Sequence, residues 1–209
     1  MADLIDDLEA TFEEVLAALC ENRNGILRRY TVFAPPVVIW DPAPDSVPVP
    51  ALQAALACWQ TLRGTRALPD WRDFHVEEFG PLAANATVVD PIPGTRDLRY
   101  RIFGSQLAET MGQDWEGSTA IEVCEARRTL GPLICRAVFL IARERRECVY
   151  TFHSDDYRGR PHAVHRVVLP FAVPEPHGVR FVAATAAEAS AFGPAAAVDI
   201  VPAARALPH

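Results

Sequence analysis

One stretch limits what this chain can fold into more than any other: Leu98 to Val123, LRYRIFGSQLAETMGQDWEGSTAIEV. Leu98, Tyr100 and Ile102 alternate with Arg99, Arg101 and Phe103, the period of two that marks a half-buried strand. Pro93-Gly94-Thr95-Arg96-Asp97 upstream is turn chemistry, and Ala86 to Asp90 before it is a short β-branched run. Two strands about a Pro-Gly turn predict a hairpin. Gly104 ends the second strand. Ser105 is placed to cap a helix over Gln106 to Met111, and Gly112 fits its C′ position. Gly117-Ser118 marks a further break.

The flanking segments supply helices before the hairpin and strands after it. Leu4, Leu8, Phe12, Val15 and Leu19, with Ile5 and Leu16 beside them, predict an amphipathic helix over 3–21, capped by Asp3 and stopped at Asn24-Gly25. Periodicity serves two partners for this stripe equally: the chain's own domain, or a second subunit. Ile26 to Phe33 reads as a short strand or extended arm. Six prolines in 35–50 predict an extended connector, with Trp40 pinning it to the core. Leu52, Leu56 and Trp59 mark a helix over Ala51–Arg63, and a loop with Trp71, Phe74 and Phe79 follows. The strongest helical pattern is Leu130, Leu133, Ile134, Ala137, Val138 and Ile141, over 132–145. Three strands come after it: Cys148–His153, Pro161–Phe171 and Val179–Thr185. The Ala/Pro-rich end is expected to be a flexible tail. This order predicts an α+β fold with a five-stranded antiparallel sheet, helices over one face, and helices preceding it. The expected division is 1–34 helix and arm, 35–50 connector, 51–187 domain and 188–209 tail.

Several short motifs in this order resemble a known family. Arg101-Ile-Phe-Gly104-Ser105, then Gly112-Gln-Asp114, then Gly117 are similar to the Arg-x-x-Gly-Ser/Thr and Gly-Arg-Asp-Leu-Thr-Gly pattern of the PAS domains common in alphaproteobacteria. Trp59 to Gly64 with Leu68-Pro69-Asp70, and Val167 to Phe171, resemble that family's opening and a later strand. The resemblance runs from about Ala51 to Ala187. Gln113 stands where the family usually has Arg, and Trp115-Glu116 replace its Leu-Thr. The resemblance implies a sensory module. A domain that wraps helices over one sheet face leaves room for an apolar cavity between the layers.

Charge and cysteine usage narrow the partners. A net charge of −7, without a basic stripe, speaks against nucleic acid. Arg127-Arg128 and Arg143–Arg146 are short clusters, the second interrupted by Glu144, and read as solvated helix ends. Five cysteines without a CxxC, and Asp3, Asp6 and Asp7 where a signal peptide would be basic, predict reduced thiols and a cytoplasmic protein. No apolar run is long enough for a transmembrane span.

Candidate chemistry is sparse. His162 and His165 have a metal-like spacing, but on a strand they point to opposite faces, so no metal is assigned. His165 shares an alternation face with Ala163, Val167, Leu169 and Phe171, and His162 shares one with Arg166. His165 is thus either a hydrogen-bonded core histidine or a polar contact in a pocket. Haem-binding PAS sensors take the iron on a His of the long helix; Leu130–Arg146 has none, which leaves His153 and His165 as remote alternatives. The flavin-photosensor motif is absent, so the cofactor is left unknown. Cys124 and Cys135 read as buried, inert thiols. Ser105 is not on a nucleophile elbow, and a His165–Asp114 acid–base pair has no distance attached to it. Arg101 is either a surface residue or an anchor for a carboxylate or internal acid. The expected pocket residues are Tyr100, Ile102, Ile134, Val138, His165, Val167 and Phe181. Together these predict a cytosolic sensory or regulatory module. It would bind a small apolar or weakly polar molecule, pair as a homodimer through the N-terminal helix, and signal to a partner protein on another polypeptide. The alternatives are a small enzyme using His165 as base, and a ligand-free scaffold.

Overall fold

The structure is a computed structural model that describes residues 6–30, 36–157, 160–174 and 178–189. The expected Asp3 cap, Leu4, Ile5 and the tail from residue 190 lie outside the described residues, as do residues 31–33 of the expected arm. Helix α1 runs Leu8–Cys20, capped by the Asp7 carboxylate, which accepts from the Ala10 amide at 3.0 Å. Residues Asn24–Tyr30 form a 3-10 helix, so the strand or extended arm expected from Ile26 is helical as far as Tyr30. Strand β1 (Val37–Trp40) and a 3-10 turn at Pro44–Ser46 replace the expected continuous extended connector. Two hydrophobic β-branched residues, Val37 and Val38, begin β1, where the prolines pause. Helix α2 spans Pro50–Arg63, with Pro in its first turn, and 3-10 segments at Trp71–Asp73 and Val76–Asn85 lead into the sheet.

The predicted hairpin is strands β2 (Ala86–Pro91) and β3 (Leu98–Phe103). Helices α3 (Ser105–Met111), α4 (Ala120–Arg127) and α5 (Leu130–Arg145) follow, then β4 (Val149–Tyr157), β5 (Arg160–Ala172) and β6 (Val179–Ala189). Ser105 is the first residue of α3 and makes no capping hydrogen bond; Gly104 takes the cap position. The sheet is antiparallel in the order β1-β4-β5-β6-β2-β3. It has six strands where five were expected, because β1 pairs with the outer edge of β4, Val37 opposite Phe152 and Trp40 opposite Val149. Trp40 packs against the core, with the Arg145 guanidinium 4.6 Å from its ring.

Helices cover both faces of the sheet rather than one. Phe139 of α5 lies 5.2 Å from Phe181 on one face. On the other, Trp59 of α2 donates its indole N–H to the Pro170 carbonyl at 2.8 Å, and Phe74 packs 4.9 Å from Phe171. A second layer on the α5 side comes from α1, which lies along the back of α5. Phe12, Val15 and Leu19 are fully buried there, and the Arg136 guanidinium sits 3.7 Å over the Phe12 ring. The apolar stripe expected to pair two chains is therefore occupied within one chain. Among the described residues no helix is long and apolar enough to cross a membrane.

Candidate functional site

The site begins with an irregularity in the hairpin. Val88 pairs with Ile102, but Val89 pairs with Tyr100, so Arg101 is an extra residue in β3. A β-bulge of this kind resets the alternation of side chains. Tyr100 and Phe103 therefore share the inner face, their rings 5.8 Å apart. Ile102 is turned outward and is 52% exposed, which corrects its expected place in the pocket. Arg101 instead donates to the buried Asp90 carboxylate at 2.9 Å, the internal-acid alternative; Arg180 grips the same carboxylate at 2.6 and 2.8 Å. Burial works against the Asp90 carboxylate, but these charged hydrogen bonds outweigh it and hold its pKa below the ordinary value.

Strand β5 reverses the expected faces. Arg166 pairs with Thr151 and Thr185, and His165 with Phe152 and Ala186. Arg166 lies on the α5 side, whereas His165 and Val167 lie on the α2 side. His165 Nδ1 is 2.8 Å from the Tyr150 hydroxyl, and its ring packs 4.8 Å from Phe152. The histidine is hydrogen-bonded and partly buried, remote from the inner face. Ile134 and Val138 are buried on α5, but Gly131, Pro132, Cys135 and Phe139 are the α5 residues that meet the cavity. One residue step turns a helix by about 100°, so the two sets point in different directions. Phe181 stands behind Phe139. Of the seven expected pocket residues, Tyr100 lines the cavity.

Short helices hold the other wall. Thr119 and Glu122 form a reciprocal capping box at the start of α4. The buried Asp97 carboxylate ties β3 to α4 by accepting from the amides of Leu98 and Ile121 at 2.8 and 3.1 Å. Trp115 packs at a tilt against Phe103, the ring centres 5.3 Å apart. Gly131 lets α5 approach the sheet: a Cβ there would stand 2.5 Å from Asp155 Oδ2 and 3.2 Å from His153 Nε2.

The resulting cavity lies between the sheet and α3 to α5. Its apolar rim is Phe103, Met111 and Trp115; its floor is polar, with His153, Asp155, Tyr157 and Arg166. About 20 Å³ is open to the centre of a water-sized sphere, room for about one water molecule. Asp155 has Arg127 at 3.5 Å as an ionic partner. Arg166 is 7% exposed; its Nε donates to Thr185 Oγ1 at 3.0 Å and its Nη1 touches Cys135 Sγ. Among the described residues it forms no ion pair with a carboxylate. A buried guanidinium stays charged and costs several kcal/mol to desolvate. Burial, with the Arg166 charge next, pushes His153 down to about 3, so it is neutral at physiological pH. His153 Nδ1 and Trp115 Nε1 are buried without a hydrogen-bond partner. Burial holds Tyr100 and Tyr157 well above the ordinary phenol value; both keep their protons. Burial also pushes the Cys124 thiol up to about 12.

A helix-flanked antiparallel sheet with a cavity beneath the long helix is the arrangement expected from the motif order. The family model described as PAS domain matches residues 47–185, more than half of the chain. The chain belongs to the PAS domain family. No match was found among curated proteins or among solved structures. Helix α1 and strand β1 precede the matched residues, yet both pack onto the PAS domain. No group of three or more metal-ligating side chains converges among the described residues.

The sequence reading left Arg166, Asp155 and Tyr157 out of the pocket and raised His153 only as a remote haem ligand. A single charged residue inside the apolar run of β5, His165-Arg166-Val167-Val168-Leu169, was the available signal.

Proposed function

We propose that this PAS domain is a cytoplasmic sensory or regulatory module. It takes a small molecule in the cavity between the sheet and α3 to α5 and signals through protein contacts. The observation that carries the reading is the cavity's unmatched polarity: two buried nitrogens without partners, on Trp115 and His153, at the edge of a small enclosed space. Buried polar groups in native proteins are ordinarily paired, by protein, water or ligand. The order of motifs from Arg101 to Gly117 supports placing it with the alphaproteobacterial variety of the family. A regulatory role is favoured over catalysis because His165, the base considered for an enzyme, is on the far face and bonded to Tyr150. One face of α5, from Gly131 to Phe139, lines the cavity, and α1 packs along the same helix. A ligand that shifts α5 therefore alters the surface that α1 presents to a partner protein.

Native mass spectrometry of freshly purified protein tests this. The expected result is a species heavier than the 23.0 kDa chain that loses the excess on denaturation. A bare chain mass from every preparation, and after incubation with a metabolite extract, would contradict ligand sensing.

A further inference from the structure

Among the described residues Arg166 hydrogen-bonds a hydroxyl and a thiol and forms no ion pair with a carboxylate, although the side chain is 7% exposed. Two buried acids of the sheet are held by other arginines: Asp155, on the same cavity wall, by Arg127, and Asp90, on the α2 side, by Arg101 and Arg180. The other groups on the cavity wall add to the imbalance. Trp115 Nε1 is an unpartnered donor, and Tyr100 and Tyr157 line the same space as protonated phenols. Against these stand the Asp155 carboxylate, held by Arg127, and the neutral His153 ring on the same wall, so Arg166 is the cation lining the cavity without an acidic partner among the described residues. Guanidinium, unlike ammonium, offers a planar fork that matches a carboxylate.

We infer that the cavity is a site for a small carboxylate, of formate to acetate size, whose oxygens pair with Arg166. The inference rests on the ligand-sensing reading above and gives the ligand its charge and its size. Size follows from the space: room for about one water refuses a bulky ligand, and even an ion of formate to acetate size enters only as α5 gives way. Charge follows from Arg166, which an entering carboxylate would neutralise. An uncharged ligand would leave the guanidinium as it stands.

The test is thermal unfolding of the full chain in sodium acetate, in sodium chloride of equal ionic strength, and in sodium chloride with acetamide. Acetate is expected to raise the midpoint by about 3 °C over chloride as it saturates the site, and acetamide to leave it unchanged. In Arg166→Met the acetate response is expected to vanish, while circular dichroism shows the fold intact, because an apolar residue of similar length fits a buried position. Acetate indistinguishable from chloride overturns the inference, and so does a response that persists in Arg166→Met. Acetamide acting as strongly as acetate also overturns it, but leaves the cavity standing as a ligand site. Where the variant fails to fold, the wild-type chain still decides: at constant ionic strength a midpoint that saturates with acetate supports the site, and one that climbs linearly without saturating is a general salt effect and overturns it.

Discussion

Gly104→Ala is expected to cost about 3 kcal/mol or more, and to lower the yield of folded protein sharply. The backbone angles at Gly104, φ −56° and ψ 133°, are open to any residue, so the requirement is space. A Cβ would collide with the Ala84 carbonyl oxygen and stand 2.8 Å from its carbon and 2.9 Å from the Ala86 oxygen. These are main-chain atoms at the junction of a 3-10 segment and β2, and they cannot rotate aside as a side-chain tip can. The contact locks the end of β3 over the start of β2, the pairing that places Phe103 on the cavity wall. Denaturant unfolding measures the loss. A change below about 1 kcal/mol would mean that the two segments part easily, and the bulge that orients Tyr100 would lose its anchor.

Phe12→Ala is expected to destabilise the chain by about 3–5 kcal/mol. The ring is fully buried, with Arg136 at 3.7 Å on one side and Arg96 at 5.2 Å, so truncation removes packing and two cation–π contacts. Residue 12 lies outside the part matched as a PAS domain, which makes the substitution a test of whether α1 completes the domain. Packing within one chain makes the loss independent of protein concentration. A midpoint that instead rises with concentration in the wild type, and loses that dependence in the variant, would assign the stripe to a dimer.

The elements were legible in the sequence because each is announced by local chemistry. The hairpin from Ala86 to Phe103, the αL glycine at 112 and the helix beginning near Leu130 all stand where alternation, glycine and helical spacing place them. The site was not legible, for two physical reasons. A bulge adds one residue without a sequence mark, and with Arg101 uncounted the period of two exchanges Ile102 for Phe103. Period-two reasoning also takes the more apolar face of a strand as the buried one. In β5 both faces are covered, by α2 on one side and α5 on the other, so the rule chose His165 and Val167 over Arg166. Helix α5 defeats its own stripe in the same way: α1 covers its back, and most of its circumference is buried. What an apolar stripe meets is a property of the assembled chain, and α1 shows it most plainly.

The most direct test of where the ligand binds is a proton–nitrogen spectrum of the tryptophan indoles during titration with acetate. The chain has four tryptophans, and two of them report on opposite faces of the sheet. Trp115 Nε1 is buried at the cavity without a partner, whereas Trp59 Nε1 is held by the Pro170 carbonyl at 2.8 Å on the α2 side. The expected result is a saturable shift of the Trp115 indole with the Trp59 indole unmoved. A Trp115 signal that stays in place while acetate raises the unfolding midpoint, or a shift confined to Trp59, would contradict a ligand site beneath α5.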